Sequence, residues 1–267
     1  MKKYVLILLI LAGMACGQHG PYSPINTNGL VLYYKIWSGF LSVPAIGLWG
    51  AGNGFFDYSL NGNYAVTNSG PPLTFPGCYL DGTADYIFCS ATMESTFQGS
   101  YSIVMWVKPD DGQPAADDTL MGTCNGTEDY VQVELLTTGI LRFRVLTNNN
   151  LGAATAATEN AASFANGACP WTCVIVTAVA DTQLLVYVNG VASALNPAAP
   201  GDASGLTFAD YGSTRHVNFG AMNSDDTPDG YSGLFAGGMD DCMIYNRALS
   251  ATEVKSIYEK TRGRYHR

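Results

Sequence analysis

Residues 237–258, GGMDDCMIYNRALSATEVKSIY, decide how the rest of the chain is read. Cys242, Met243, Ile244 and Tyr245 form an unbroken apolar run, as in a strand covered on both faces. Ser250 with Glu253 three residues later predicts a capping box, and Val254, Ile257 and Tyr258 then share one helical face. The stretch therefore predicts a buried strand running into a short capped helix. Two adjacent carboxylates, Asp240 and Asp241, enter that strand. Alternation of side chains predicts that one of them points inward, where it needs a cation or backbone N–H groups. The alternative is a pair of solvated acids ahead of an edge strand.

Outward from this stretch the chain offers many short apolar runs separated by turn residues. Residues 100–109, SYSIVMWVKP, predict a core strand that buries Trp106 and is ended by Pro109. Asp81-Gly82 between apolar runs predicts a hairpin, with Asp81 serving the turn and Asp85 a lesser site candidate. Residues 171–179 and 183–188 predict another hairpin, and Asn189-Gly190 turns the chain again. Residues 30–34, 119–122, 131–136, 141–145 and 217–221 complete a spacing that suits an antiparallel two-sheet sandwich. Residues 39–56, 148–168 and 195–209 show no clear period and read as loops or insertions.

Residues 57–63, DYSLNGN, place side-chain oxygens at alternate positions, with Gly62 permitting a tight turn. Hard cations gather six to eight oxygens from flexible loops of this kind. An EF-hand is excluded, because the twelfth position is Asn68 instead of Glu and no helices flank the loop. Asp57, Asn61 and Asn63, with Asp240 and Asp241, are thus the candidate ligands of a calcium ion. The alternative is an Asx-rich turn that bonds its own backbone. The calcium reading requires these two distant stretches to meet.

Together these segments resemble one family. DDCMIYNRALS at residues 240–250, with Glu253 and Tyr258, is similar to the closing segment of laminin-G-like, concanavalin A-like jelly-roll domains. Residues 57–63, 77–87, 100–109 and 171–190 resemble further signatures of that family, in family order, with Leu60 where Gly is common in the first of them. The resemblance implies an all-β, two-sheet antiparallel jelly-roll sandwich with a short C-terminal helix, and a loop at 57–63 that binds calcium in many relatives. It does not fix a ligand, since members bind glycans, proteins or cell surfaces.

The 267 residues fit one domain at 29–260, after a leader at 1–15 and a linker at 16–28, and before a basic tail at 261–267. Lys2 and Lys3, the apolar residues 4–11 and Gly13-Met14-Ala15 have the layout of a secretory signal peptide. Cys16 then resembles a bacterial lipobox cysteine, which implies a lipid anchor; ordinary secretion is the alternative. Of the six other cysteines, Cys78 with Cys89 and Cys169 with Cys173 are candidate disulfide pairs in an exported chain. Residues 16–254 hold 21 acids and 6 bases, a balance that repels nucleic acid and attracts cations.

Three functions compete. The first is an exported, non-catalytic carbohydrate-binding or adhesion module, stabilised by calcium, whose partner is a glycan or cell-surface ligand. Tyr231, Tyr211, Trp171 and Asp225 are its candidate sugar contacts, and core or loop packing is the plainer reading of the three aromatic ones. The second is a structural surface or virion component that uses the sandwich for host contact. The third, a jelly-roll glycoside hydrolase, needs two carboxylates on one face. Glu128 and Glu134 share parity, but Asp129 lies off that face and the spacing departs from the glucanase pattern.

Overall fold

The computed structural model describes residues 25–36, 41–43, 52–123, 129–147, 154–214, 216–223 and 230–265. The leader, Cys16, Cys124, Glu128 and Asp225 lie outside the described residues. Strands are numbered in chain order. One sheet runs β1 (Leu30–Tyr34), β19 (Ala236–Tyr245), β7 (Tyr101–Pro109), β12 (Thr172–Val179), β13 (Gln183–Val188) and β14 (Val191–Ala192), with β5 (Cys78–Asp81) also paired to β19. The opposing sheet runs β15 (Leu195–Pro200), β11 (Thr155–Glu159), β10 (Leu141–Leu146), β9 (Tyr130–Leu135), β8 (Asp118–Gly122), β16 (Asn218–Phe219), β6 (Ile87–Cys89), β4 (Ala65–Thr67), β3 (Gly52–Phe55) and β2 (Leu41–Val43). A small ribbon joins β17 (Met222–Asn223) to β18 (Tyr231–Ser232). All the pairings are antiparallel, so the fold is the all-β, two-sheet jelly-roll sandwich that the sequence implies.

β7 shows why its run is apolar throughout. Tyr101, Ile103, Met105 and Val107 face the core between the sheets, while Val104 and Trp106 face the other way. That outer face is roofed by helix α2 (Ala251–Thr261) and a 3₁₀ turn at Arg262–Arg264 (α1 is the short helix Glu94–Phe97). Val254 and Ile257 of α2, with Leu249 and Tyr265, bury Trp106, Val104, Met243 and Tyr245 in a second core. The indole of Trp106 stacks on Tyr265, with centroids 3.9 Å apart, and its N–H donates to Thr261 Oγ1 at 2.9 Å. A polar partner for the N–H is what lets a tryptophan be fully buried. Residues 261–265, the first part of the basic tail read at 261–267, contribute Thr261 and Tyr265 to the roof.

The predicted capping box forms: Ser250 and Glu253 exchange side-chain and backbone bonds. Glu253 also takes two bonds from the Arg247 guanidinium, at 3.0 and 2.8 Å. That pairing first, and the Ser250 N–H next, hold its carboxyl down at about 2.

Three expected loops contain strands: β2 and β3 within 39–56, β11 within 148–168 and β15 within 195–209. Their apolar period is weak because they lie near the sheet's two ends and pair through backbone. β15 keeps two prolines, tolerable in a strand with an open side. The expected cysteine pairs do not form. Cys78, Cys89, Cys169 and Cys173 are buried free thiols, as is Cys242. Cys169 and Cys173 sit in different cores, on opposite sides of the sheet, so the short spacing between them does not close a loop.

Candidate functional site

The paired acids sit at a defect in β19. Residues 236–239 of β19 pair with β5, and residues 242–245 pair with β1, on the same edge. Asp240 and Asp241 fill the gap between these two partners. On the other edge, against β7, the register slips between Asp240 and Met243, a β-bulge in which Asp241 has φ 46°. The bulge breaks alternation, so both carboxylates turn to the outer face instead of splitting across the sheet. Both are completely buried.

The chain itself supplies their partners. Asp240 Oδ1 accepts from the backbone N–H of Ile36 at 3.0 Å and of Asp241 at 2.8 Å, and its Oδ2 accepts from the Tyr265 hydroxyl at 2.8 Å. Asp241 Oδ1 accepts from the Tyr33 hydroxyl at 2.9 Å, and its Oδ2 pairs with the buried guanidinium of Arg264. Burial raises both phenols well above their usual range, so they remain protonated donors. Arg264 is the cation that these acids need, delivered from the C-terminal turn.

Asp57 is buried too, and consumed in a different way. Its Oδ1 accepts from the N–H groups of Tyr33 at 3.0 Å and Ser59 at 2.9 Å, and its Oδ2 from that of Asn63 at 3.0 Å. Asn61 and Asn63 turn their amide nitrogens onto β1, donating to the carbonyls of Leu30 at 3.1 Å and Val31 at 2.8 Å. The loop is thus an Asx-type turn that covers the open edge of β1. Tyr33 links the two acidic stretches, its N–H on Asp57 and its hydroxyl on Asp241. They meet one strand but stand at opposite ends of one tyrosine. These donor contacts do not fit a shared calcium shell, because hydrogen atoms already face the oxygens a cation would use. Among the described residues, no group of three or more His, Cys, Asp or Glu side chains converges in metal-binding fashion.

A cleft of about 620 Å³ opens between the Asx loop and a segment that the sequence reading passed over. Its lining includes Asn61, Asn63, Ser90, Thr92, Glu94 and Ser95. The segment turns on Met93, in the left-handed region at φ 58°, which launches α1 and presents Thr92 and Glu94. Glu94 accepts from Gln98 Nε2 at 3.3 Å. A cavity of this volume suits a small ligand. Val31, Ala91 and Met93 line part of it, and the rest is amide, hydroxyl and carboxylate, the groups that bond sugar hydroxyls. A dense Ser/Thr run just past a strand, SATMEST at 90–96, is the signal that marks it.

The other expected contacts are dispersed. Tyr211 is buried, its hydroxyl shared with Thr123 at 3.1 Å, so it offers no face to a sugar. Trp171 is half-buried, with its ring over Gly238 and tilted against Tyr265. Tyr231 is half-buried and stacked on Tyr86 at 3.6 Å. Asp81 accepts from the N–H groups of Thr83, Ala84 and Asp85, as expected of a turn residue. Glu134 is held by Arg142 Nε at 2.7 Å and Arg144 Nη2 at 2.9 Å, a sheet-bracing role, and Glu128, which shares its parity, lies outside the described residues.

Solved structures share this architecture. The receptor-binding domain of botulinum neurotoxin C/D mosaic serotype aligns at TM-score 0.62 and 11% identity, over 88% of this chain and 52% of that one. The binding domain of botulinum neurotoxin DC in complex with SialylT aligns at 0.61 and 11%, over 87% and 52%. The type G receptor-binding domain aligns at 0.58 and 14%, over 87% and 51%. The chain spans about half the length of these domains. Among curated proteins nothing matches the sequence significantly. The family profile described as Concanavalin A-like lectin/glucanases superfamily matches residues 81–255, well over half of the chain. The sandwich, its capped closing helix and this match agree: the chain belongs to the Concanavalin A-like lectin/glucanases superfamily.

Proposed function

We propose that the protein is a non-catalytic glycan-binding module, exported to act outside the cell or at its surface, and that it binds its sugar in the cleft between residues 57–63 and 90–96. The observation that carries this reading is the lining itself. Two asparagines, several Ser and Thr hydroxyls and one carboxylate converge on a cavity of sugar size. Support comes from the family, and from a similar fold whose complex holds SialylT. The acids at β19 and the Asx loop hold the scaffold, so binding is not routed through calcium.

A glycan array tests this. The mature chain is applied with calcium and with chelator, beside a Thr92→Ala, Ser95→Ala double variant. Wild type is expected to bind a defined set of glycans equally in both buffers, and the variant to lose them while melting normally. A wild type that binds no glycan, or a variant that binds unchanged, removes the assignment. Binding lost only in chelator restores calcium to the site.

A further inference from the structure

The cleft is rich in acceptors and poor in charged donors, and this selects among sugars. Asn61 and Asn63 commit their amide nitrogens to the β1 carbonyls, which leaves each its amide oxygen to offer a ligand. Glu94 is the one ionisable side chain among the lining residues, and it is acidic; neither Lys nor Arg is among them. Behind Asn63 stands the Asp57 carboxylate, 3.0 Å from its N–H. The chain as a whole carries a formal charge of −9. Among the described lining residues an incoming carboxylate meets another carboxylate and neither Lys nor Arg. An incoming ammonium finds Glu94, and a charge-assisted hydrogen bond is about twice as strong as a neutral one.

We infer that the cleft takes neutral or amino sugars, with Glu94 pairing a ligand ammonium, and that it excludes sialylated glycans. The inference rests on the glycan assignment above and adds the charge class of the ligand. It departs from the sialylated ligand of the similar toxin domain, with which this chain shares only the fold.

Isothermal titration with four defined sugars tests it at about pH 6, where a sugar amine is largely protonated. The probes are a glucosamine tetramer, its fully N-acetylated counterpart, lactose and sialyllactose. The glucosamine tetramer is expected to bind about tenfold more tightly than the acetylated one, the scale of a charge-assisted bond. Glu94→Gln is expected to abolish that difference, so that the two tetramers bind with equal affinity. Sialyllactose is expected to bind no better than lactose. Equal affinity for the two tetramers, an advantage that survives in Glu94→Gln, or sialyllactose binding better than lactose overturns the charge assignment and leaves glycan binding intact. Binding of none of the four, with an array also blank, overturns both.

Discussion

The bulge of β19 and the cleft beside β1 are built from similar atoms and put to opposite uses. At the bulge, Asp240 and Asp241 are buried beneath Arg264 and Tyr265, and every oxygen meets a donor from the chain. At the cleft, Asn61, Asn63, Thr92 and Glu94 keep oxygens facing a cavity. An acidic or amide side chain becomes structural when the fold brings donors to it and remains available when the fold brings it only a void. Residue type does not decide between these outcomes; the neighbours do.

The most severe way to test that contrast is to remove the cation from the bulge. Arg264→Ala leaves Asp241 buried and unpaired, and breaking a buried pair from one side costs about 3–5 kcal/mol. At about 2–4 °C per kcal/mol for a domain of this size, the melt falls by roughly 10 °C. Replacing both partners with apolar residues, Arg264→Met with Asp241→Leu, recovers most of the loss, since an apolar pair needs no counter-charge. A melt of Arg264→Ala within a degree or two of wild type would show that the C-terminal turn does not hold the bulge.

Next in size is Asp57→Ala. It strands the N–H groups of Tyr33, Ser59 and Asn63 and loosens the loop over β1, a loss of about 3 kcal/mol in denaturant unfolding. Asn63→Ala removes one amide bond to Val31 and costs about 1 kcal/mol. By contrast, Thr92→Ala and Ser95→Ala act on the cleft alone and shift stability by less than about 0.5 kcal/mol. If the cleft substitutions destabilise as much as Asp57→Ala, the division between scaffold and site fails.

The sequence conveyed the scaffold well because its signals are local. The capping box at Ser250 and Glu253, the Asp81 and Asn189-Gly190 turns, and the two-faced apolar runs each fall within a dozen residues. The site was harder because it is made of long-range meetings. Asp241 finds Tyr33 from 208 positions away, and no spacing rule announces that. Asp57 reads from sequence as a calcium ligand or as the head of an Asx-rich turn, and the paired acids as needing a cation or N–H groups; in the fold backbone N–H groups hold Asp57, backbone and a phenol hold Asp240, and a phenol and Arg264 hold Asp241. Tyr211, readable from sequence as a sugar contact or as packing, is core. Residues 90–96 carry no acidic run or aromatic flag, and their Ser/Thr run gains a role only where the Asx loop lies against it.

The smallest effect sharpens the contrast with an acid that lies between the two cases. Asp118 opens β8, half-buried, with one backbone bond from Ala236 and with Asp117 and Asp111 nearby. Burial first, and then the neighbouring acids, outweigh that bond and push its carboxyl up to about 7. It has one backbone donor where Asp57 has three. Its folded form therefore keeps a proton that the unfolded chain gives up near pH 4, so between about pH 4 and pH 7 the native state binds more protons than the unfolded one. Stability attributable to this group is present at low pH and is lost as pH rises through 7. Asp118→Asn is expected to flatten that dependence: the melt at pH 8 rises by about 1–2 °C, solvent screening keeping the gain small, while the melt at about pH 3.5, where the carboxyl is protonated in both states, stays where it was. A variant that melts lower than wild type at pH 8 would mean that the carboxylate, like those at the bulge, is already matched by donors.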